Sequence, residues 1–407
     1  MATIADPNLL DPATFMKGPP HDYFDALRRD DPCHEIANPL GGSIWALTRA
    51  ADIRSVSMDT ARFTSTQGFM YPSAMISTIR AAGQDTDAFR SVIANNLMWQ
   101  NGPRHDRLRG FLASAFSPRV VGQFDHWIRE ICVRIVREIN EKKRFDAIPQ
   151  IAAELPAQVI ASILGVPEAD RHRILDWAIL MFGRMDPEIG FEGGARARQE
   201  VIDYVAWLRG YKRENPGADM ATELMNASHD DVPITDAEYN EAGLSLLIAG
   251  FETTHTLIAQ SLLLMATDDD ARAQIEGNPL KLVLEELLRY TSPVMHMGRS
   301  ATEDVELHGK TIRKDDFVML WYTASNRDPD VYDEPHRFNV NRARKGHAAF
   351  GAGGPHYCIG SHLAKLEAEI LLEEFRKANV RLELDGDWTH AVSVSINAIA
   401  RMPMKIG

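Results

Sequence analysis

Cysteine is scarce in this sequence. The 407 residues contain three, Cys33, Cys132 and Cys358. They are far apart, odd in number and form no Cys-x-x-Cys pair, which argues against a disulfide framework and for a reducing compartment. Positive charge is also short. Lys and Arg total 44 against 57 Asp and Glu, a formal net charge of −13. That balance speaks against a nucleic-acid binder and against an anionic membrane surface as partner. The run Met1-Ala-Thr-Ile-Ala-Asp-Pro-Asn-Leu-Leu-Asp-Pro12 has neither a basic start nor an apolar stretch. It reads as no signal peptide and no membrane anchor, and a cytoplasmic protein is expected. Internal repeats, low-complexity tracts and obvious linkers are missing. What is there is ordinary globular composition, 45% hydrophobic and 25% charged, in a chain long enough for a large core.

Hydrophobic spacing makes most of the chain helical, giving a mainly α fold with small β-sheets, an α+β arrangement. Leu108, Phe111, Leu112, Ala115 and Phe116 recur at helical spacing. Trp127–Ile139 and Ile148–Leu164 continue the pattern. Thr235-Asp-Ala-Glu238 has the form of a capping box opening a very long helix to about Met265. Pro279–Tyr290 and Ser361–Phe375 read as two more helices. Short strands are expected at Ser43–Thr48, Phe317–Trp321, Val380–Leu384 and Val392–Ala400, with a hairpin over Val305–Ile312 turning at His308-Gly309. Tyr71–Met98 is irregular, and a connection of that length is more often functional than accidental. The chemistry-bearing motifs spread from residue 105 to 360, so residues 1–407 are expected to form a single domain.

Those motifs are modest one by one. Cys358 sits in Phe350-Gly-Ala-Gly-Gly-Pro-His-Tyr-Cys358-Ile-Gly360, just ahead of the Ser361 helix. Glycines allow tight bends and close approach, and a helix start favours thiolate. Cys358 taken alone is equally a buried structural thiol or a ligand for a soft metal centre. The long helix carries Ala249-Gly250-Phe251-Glu252-Thr253-Thr254-His255 in an otherwise apolar stretch, either a kinked core segment or a groove with room for a ligand. Glu286 and Arg289 face one another at i and i+3. His105 and Arg109, at i and i+4, share a helix face that would clamp an anion or be a solvated helix start. Arg299 is a lone arginine.

Taken in order, these pieces resemble a bacterial cytochrome P-450, a haem-thiolate monooxygenase, along essentially the whole chain. The resemblance implies that fold, with a haem between the long central helix and the cysteine-loop helix. Cys358 resembles the axial ligand to the iron of haem b. His105, Arg109, Arg299 and His356 occupy positions that bind the propionates. Glu252 and Thr253 match the oxygen-activating groove, Thr253 as the hydroxyl beside bound oxygen and Glu252 as its partner in proton relay. Glu286 and Arg289 match a buried structural pair. One departure is visible: Phe350 lies one residue further from Cys358 than in the usual Phe-Gly-x-Gly-x-His-x-Cys loop, because of Gly353-Gly354.

The implied reaction inserts one atom of O2 into a small-to-medium apolar substrate, a terpenoid, a steroid or a fatty-acid-like chain. The run Trp321-Tyr-Thr-Ala-Ser-Asn-Arg-Asp328 resembles members that oxidise terpenoids and sterol side chains. The family's usual pocket regions fall on Phe69, Met70, Met98, Trp99, Met181, Phe182, Met185, Leu246, Ala249, Val294, Met295, Met297 and Ile396. Many of the methionines are equally core filler. With no reductase domain recognisable, electrons from NAD(P)H are expected through a separate ferredoxin and ferredoxin reductase. Arg104, Arg107, Arg342, Arg344 and Lys345 are candidates to steer an acidic ferredoxin, or ordinary surface charge. A peroxide-driven peroxygenase and a non-catalytic haem or ligand-binding protein are the competing readings. Family peroxygenases replace the acid–alcohol pair with Arg-Pro, whereas Glu252-Thr253 is retained here.

Overall fold

The Thr235–Glu238 capping box forms as expected. Glu238 N–H donates to Thr235 Oγ1 at 3.3 Å, and Thr235 N–H donates to Glu238 Oε2 at 2.8 Å. It opens a helix over Asp236–Thr267 that is the axis of the molecule. The computed structural model describes residues 7–39, 41–71, 94–113, 115–182, 190–343 and 346–407, with scattered positions between 74 and 90. Helices Glu154–Ile163, Arg171–Phe182 and Gly190–Glu214 pack against the axis, as do Leu280–Thr291 and Ser361–Lys377. Two apolar clusters meet it. One gathers Ile135, Ile139, Leu155, Ile160, Leu247 and Leu262, and the other gathers Leu257, Leu264, Val283, Leu287 and Leu372. Each such side chain contributes about 1.5–3 kcal/mol on burial. The axis is long and apolar enough to cross a membrane, but 67% of its apolar window is buried in the protein. It is a core helix.

The main sheet has five strands in the order Cys33–Ala37, Ser43–Leu47, Phe317–Trp321, His296–Ala301, Phe63–Thr64. Ser43–Leu47 and Phe317–Trp321 run parallel, the other pairs antiparallel. All five residues of Phe317–Trp321 are buried, as suits a central strand covered on both faces. The hairpin over Val305–Ile312 is present, with positive φ at His308 and Gly309.

Two expectations change. Ile148–Leu164 is not one helix: Ile148–Ala152 is a single π-helical turn containing Pro149, and the α-helix begins at Glu154. Within Val392–Ala400 a strand forms only at its end, over Ile399–Arg401. Ser393 Oγ accepts from the N–H groups of Ser395 and Ile396 at 3.1 and 3.0 Å, and Ser395 Oγ donates to Tyr71 O at 2.8 Å. These side chains compete for the backbone and leave one bridge, Val294 to Ile396. Half of the Tyr71–Met98 connection lies outside the described residues. Its far end, Leu97–Trp99, is one 3-10 turn capped by the Asn96 side chain.

Candidate functional site

The cysteine loop bends at Gly351, Gly353 and Gly354, whose φ values of +97°, +96° and +83° exclude most side chains. Cys358 N–H donates back to Phe350 O at 2.9 Å, and Tyr357 N–H to Gly354 O at 3.1 Å. Helix Ser361–Lys377 follows with Gly360 as its cap. Burial pushes the Cys358 thiol up, against the Gly360 N–H and the Arg109 guanidinium, which pull it down. The helix start therefore favours thiolate, but burial outweighs it; a metal cation bound there would displace the proton. Phe350, despite its extra spacing, has a defined seat. It packs with Leu287, Ala368 and Leu372, with Lys365 Nζ 5.3 Å from its ring centroid.

Four nitrogen-bearing side chains converge beside this loop. His105 and Arg109 come from helix Gly102–Ala113, Arg299 from the sheet and His356 from the loop itself. The rings of His105 and His356 lie 4.5 Å apart. Burial, then Arg299, His105 and Arg109, drive His356 down to about 2. Burial also lowers His105, with Arg109 and Arg299 acting the same way and Asp106 opposing. Arg109 and Arg299 are themselves lowered by burial. The buried atoms His105 Nε2 and Arg299 Nε have no hydrogen-bond partner. Such a cluster is costly unless an anion meets it. The arrangement suits a group that carries carboxylates on one edge and offers a metal to Cys358, as haem does.

Sequence reasoning missed the second layer. His356 Nε2 lies 3.4 Å from both Ser65 Oγ and Asn101 Oδ1, and Ser65 Oγ donates to Asn101 Oδ1 at 2.7 Å. Asn101 directly precedes the His105 helix, which was a usable signal; Ser65 carried none. Tyr322 is the remaining ionisable neighbour of Arg299.

On the axis helix, Ala249 is exposed and Thr253 half-buried, while Leu246, Phe251, Glu252 and His255 are buried. Open space therefore lies at Ala249 and Thr253. Gly250 instead admits the neighbouring helix, since a Cβ there would sit 3.2 Å from Ile160 Cδ1. Thr253 Oγ1 donates to Ala249 O at 3.1 Å, and Glu252 Oε2 lies 3.6 Å from His255 Nδ1. Among the pocket candidates, Phe69 and Trp99 meet edge to face at 5.5 Å. Val294 and Ile396 are bridged, with Met297 in the same cluster. Met181 and Leu246 belong to the helical core, and Met70 and Met98 are half-buried. Met295, 1% exposed, packs with Phe15, Phe24 and Trp321 and fills core. Met185 and the side chain of Phe182 lie outside the described residues.

Three of the basic residues considered for partner steering, Arg104, Arg107 and Arg342, make contacts within the protein. Arg104 and Arg107 both bind Glu238, at 2.7 and 2.9 Å, at the start of the axis helix. Arg342 donates to the carbonyls of Glu334 and Arg337 and approaches Glu286 at 3.5 Å. Arg344 and Lys345 are outside the described residues. Glu286 and Arg289 pair at 2.7 and 2.8 Å, both buried, and Arg289 also donates to the carbonyls of Asn326, Pro335 and Arg337. Arg342 is thus the third member of a buried network that sequence spacing did not reveal. A separate cavity of about 270 Å³ near the start of the axis is lined by Arg209, Lys212 and Asp236. Its Lys212 is already paired with Asp219 at 2.6 Å, away from the cysteine loop.

The family model described as Cytochrome P450 matches residues 279–376. The chain is 30% identical to the steroid C26-monooxygenase of Mycolicibacterium smegmatis, over 90% of this chain and 86% of that one. It is 30% identical to the linalool 8-monooxygenase of Pseudomonas putida, over 93% of each. The structure of Mycobacterium marinum cytochrome P450 CYP268A2 in complex with pseudoionone superposes with a TM-score of 0.86 at 26% identity, covering 99% of this chain and all of that one.

Proposed function

Because this chain belongs to the cytochrome P450 family and is a P450 monooxygenase, we propose that it oxidises an apolar steroid, terpenoid or branched lipid, with electrons from a separate ferredoxin and its reductase. The observation that carries the reading of the site is the convergence of His105, Arg109, Arg299 and His356 beside Cys358. Cys358 would hold the haem iron and the four others its propionates. Haem bound through a thiolate supplies the activation of O2. The protein's own part is to bind, orient and move protons. Thr253 presents a hydroxyl at the exposed strip of the axis helix, able to leave its bond to Ala249 O and hold a water or dioxygen. Glu252, one residue before it, supplies protons to that hydroxyl from the buried side. Glu286 and Arg289 hold the fold beneath the cysteine loop.

The substrate class is supported by the names of the similar proteins and by the apolar character of the candidate pocket residues Phe69, Met98, Trp99, Val294, Met297 and Ile396. An optical titration of the purified ferric protein with steroids, terpenoids and branched fatty acids tests this. A low-to-high-spin Soret shift with one class names the substrate. A haem spectrum that no class moves removes the substrate proposal, and a protein that takes up no haem removes the site. Retention of Glu252-Thr253 favours O2 over peroxide, so turnover with ferredoxin and reductase is expected to exceed turnover with hydrogen peroxide alone.

A further inference from the structure

The cysteine loop is gripped from outside by one short stretch of chain, residues 57–65. Ser57 is the penultimate residue of helix Ala50–Met58 and is 2% exposed. Its hydroxyl donates to Gly353 O at 2.8 Å. Gly354 lies so close that a Cβ would sit 2.5 Å from the Ser57 carbonyl oxygen. The glycine pair that lengthens the loop is therefore its point of contact with this helix. Gly353 takes the hydrogen bond, and Gly354 permits the close approach. At the other end of the stretch, Ser65 reaches His356.

The helix is itself fixed. Ala50 N–H donates to Asp328 Oδ2 at 2.8 Å, and Asp52 meets His308 at 2.7 Å. Inside the loop, Gly354 O accepts the Tyr357 N–H, and Cys358 N–H bonds to Phe350 O. The Ser57 bond thus holds the corner from which the turn to Cys358 starts. On the far side of that turn, Gly360 lies against the sulfur, where a Cβ would sit 4.0 Å from Sγ.

We propose that Ser57 is a positioning residue for the Cys358 sulfur. It fixes the Gly353-Gly354 corner, and through that corner the backbone from Tyr357 to Gly360 that surrounds Sγ. The inference rests on the reading of Cys358 as the haem ligand. Hydrogen bonds to a ligating sulfur are one of the levers that set the potential of the metal behind it. A looser corner lets the Gly360 backbone move away from Sγ, which would leave the sulfur more electron-rich and the iron harder to reduce.

The test compares wild type, S57A, the hydroxyl-retaining S57T, and S55A as a control from the exposed face of the same helix. Three quantities are read: the ferric/ferrous midpoint potential, the ferrous–carbonyl absorption band, and the thermal midpoint of the haem-free protein. S57A is expected to have a more negative potential and to lose part of the thiolate-type carbonyl band, with S57T close to wild type and S55A unchanged. An S57A potential that is unchanged or more positive overturns the proposal. So does a drop in thermal midpoint with potential and band intact, which makes Ser57 a contact of the fold alone. A wild-type band that lacks the thiolate signature overturns the Cys358 assignment, and this inference with it.

Discussion

His105 and His356, from opposite halves of the chain, bring their rings to 4.5 Å at an interplanar tilt of 57°, and burial lowers the pKa of both. Beside them, Arg109 and Arg299 supply the positive charge, and among the described residues none of the four has a buried carboxylate to answer it. That imbalance is what supports the proposed anion site.

Arg299→Gln removes one of those charges while keeping shape and some hydrogen bonding. A charged hydrogen bond of about 1.5–3 kcal/mol corresponds to roughly ten- to hundredfold faster haem loss. Transfer of haem to an excess of a scavenger protein measures it. An unaltered rate would place the propionates elsewhere.

Thr253→Ala leaves the apolar pocket intact, so substrate-induced spectral shifts should be retained. Product formed per NAD(P)H consumed should fall by about tenfold, the effect of about 1.4 kcal/mol on the partition between coupled and wasted turnover. Coupling equal to wild type would remove Thr253 from the reaction.

Glu286→Gln breaks a buried ion pair whose arginine is 2% exposed. Arg289 keeps its carbonyl partners but loses its counter-charge. The expected cost is roughly 3–5 kcal/mol, read as a lower urea midpoint at an unchanged slope. A midpoint within experimental error of wild type would show that the carbonyls alone satisfy Arg289.

Glu238 gives a pH dependence with a definite sign. Burial works to raise its carboxyl, but Arg107, Thr235 and Arg104 outweigh it and hold it at about 2, against an ordinary 4.5. Its folded pKa is depressed, so its stabilisation is complete above about pH 4.5 and is lost as pH falls toward 2. The full effect is about 3 kcal/mol. Glu238→Gln should flatten that acid limb of the stability curve. A parallel limb in the variant would assign acid sensitivity to other groups.

Much of the site was legible because its signals are local. The glycine spacing ahead of Cys358, the Thr235–Glu238 capping box and the Glu286–Arg289 interval are each readable within a few residues. What was not legible depends on partners far off in sequence. Arg104 and Arg107 look like free surface charge until Glu238 folds onto them. The purpose of Gly353-Gly354 is invisible without the helix at Ser57. The alternation in Val392–Ala400 reads as a strand, yet its serines capture the backbone that a ladder would need. Periodicity reports burial; it does not report what a hydroxyl will bond.

The five-stranded sheet has a consequence for how the chain is made. Ile44 pairs with Phe317, and Phe63 with Ala301. At about 5–20 residues per second, synthesis takes roughly a quarter of a minute to a minute to deliver the partner strand after the Ser43–Leu47 hairpin has been made. During that interval the nascent chain carries an apolar strand with one edge unsatisfied. The helical region between residues 102 and 291 can collapse while still attached to the ribosome, but the sheet that supplies Arg299 closes only late. Arg299 is thus put in place only after most of the polypeptide exists, so on the proposed reading of the site haem capture would be a late event in the life of the chain.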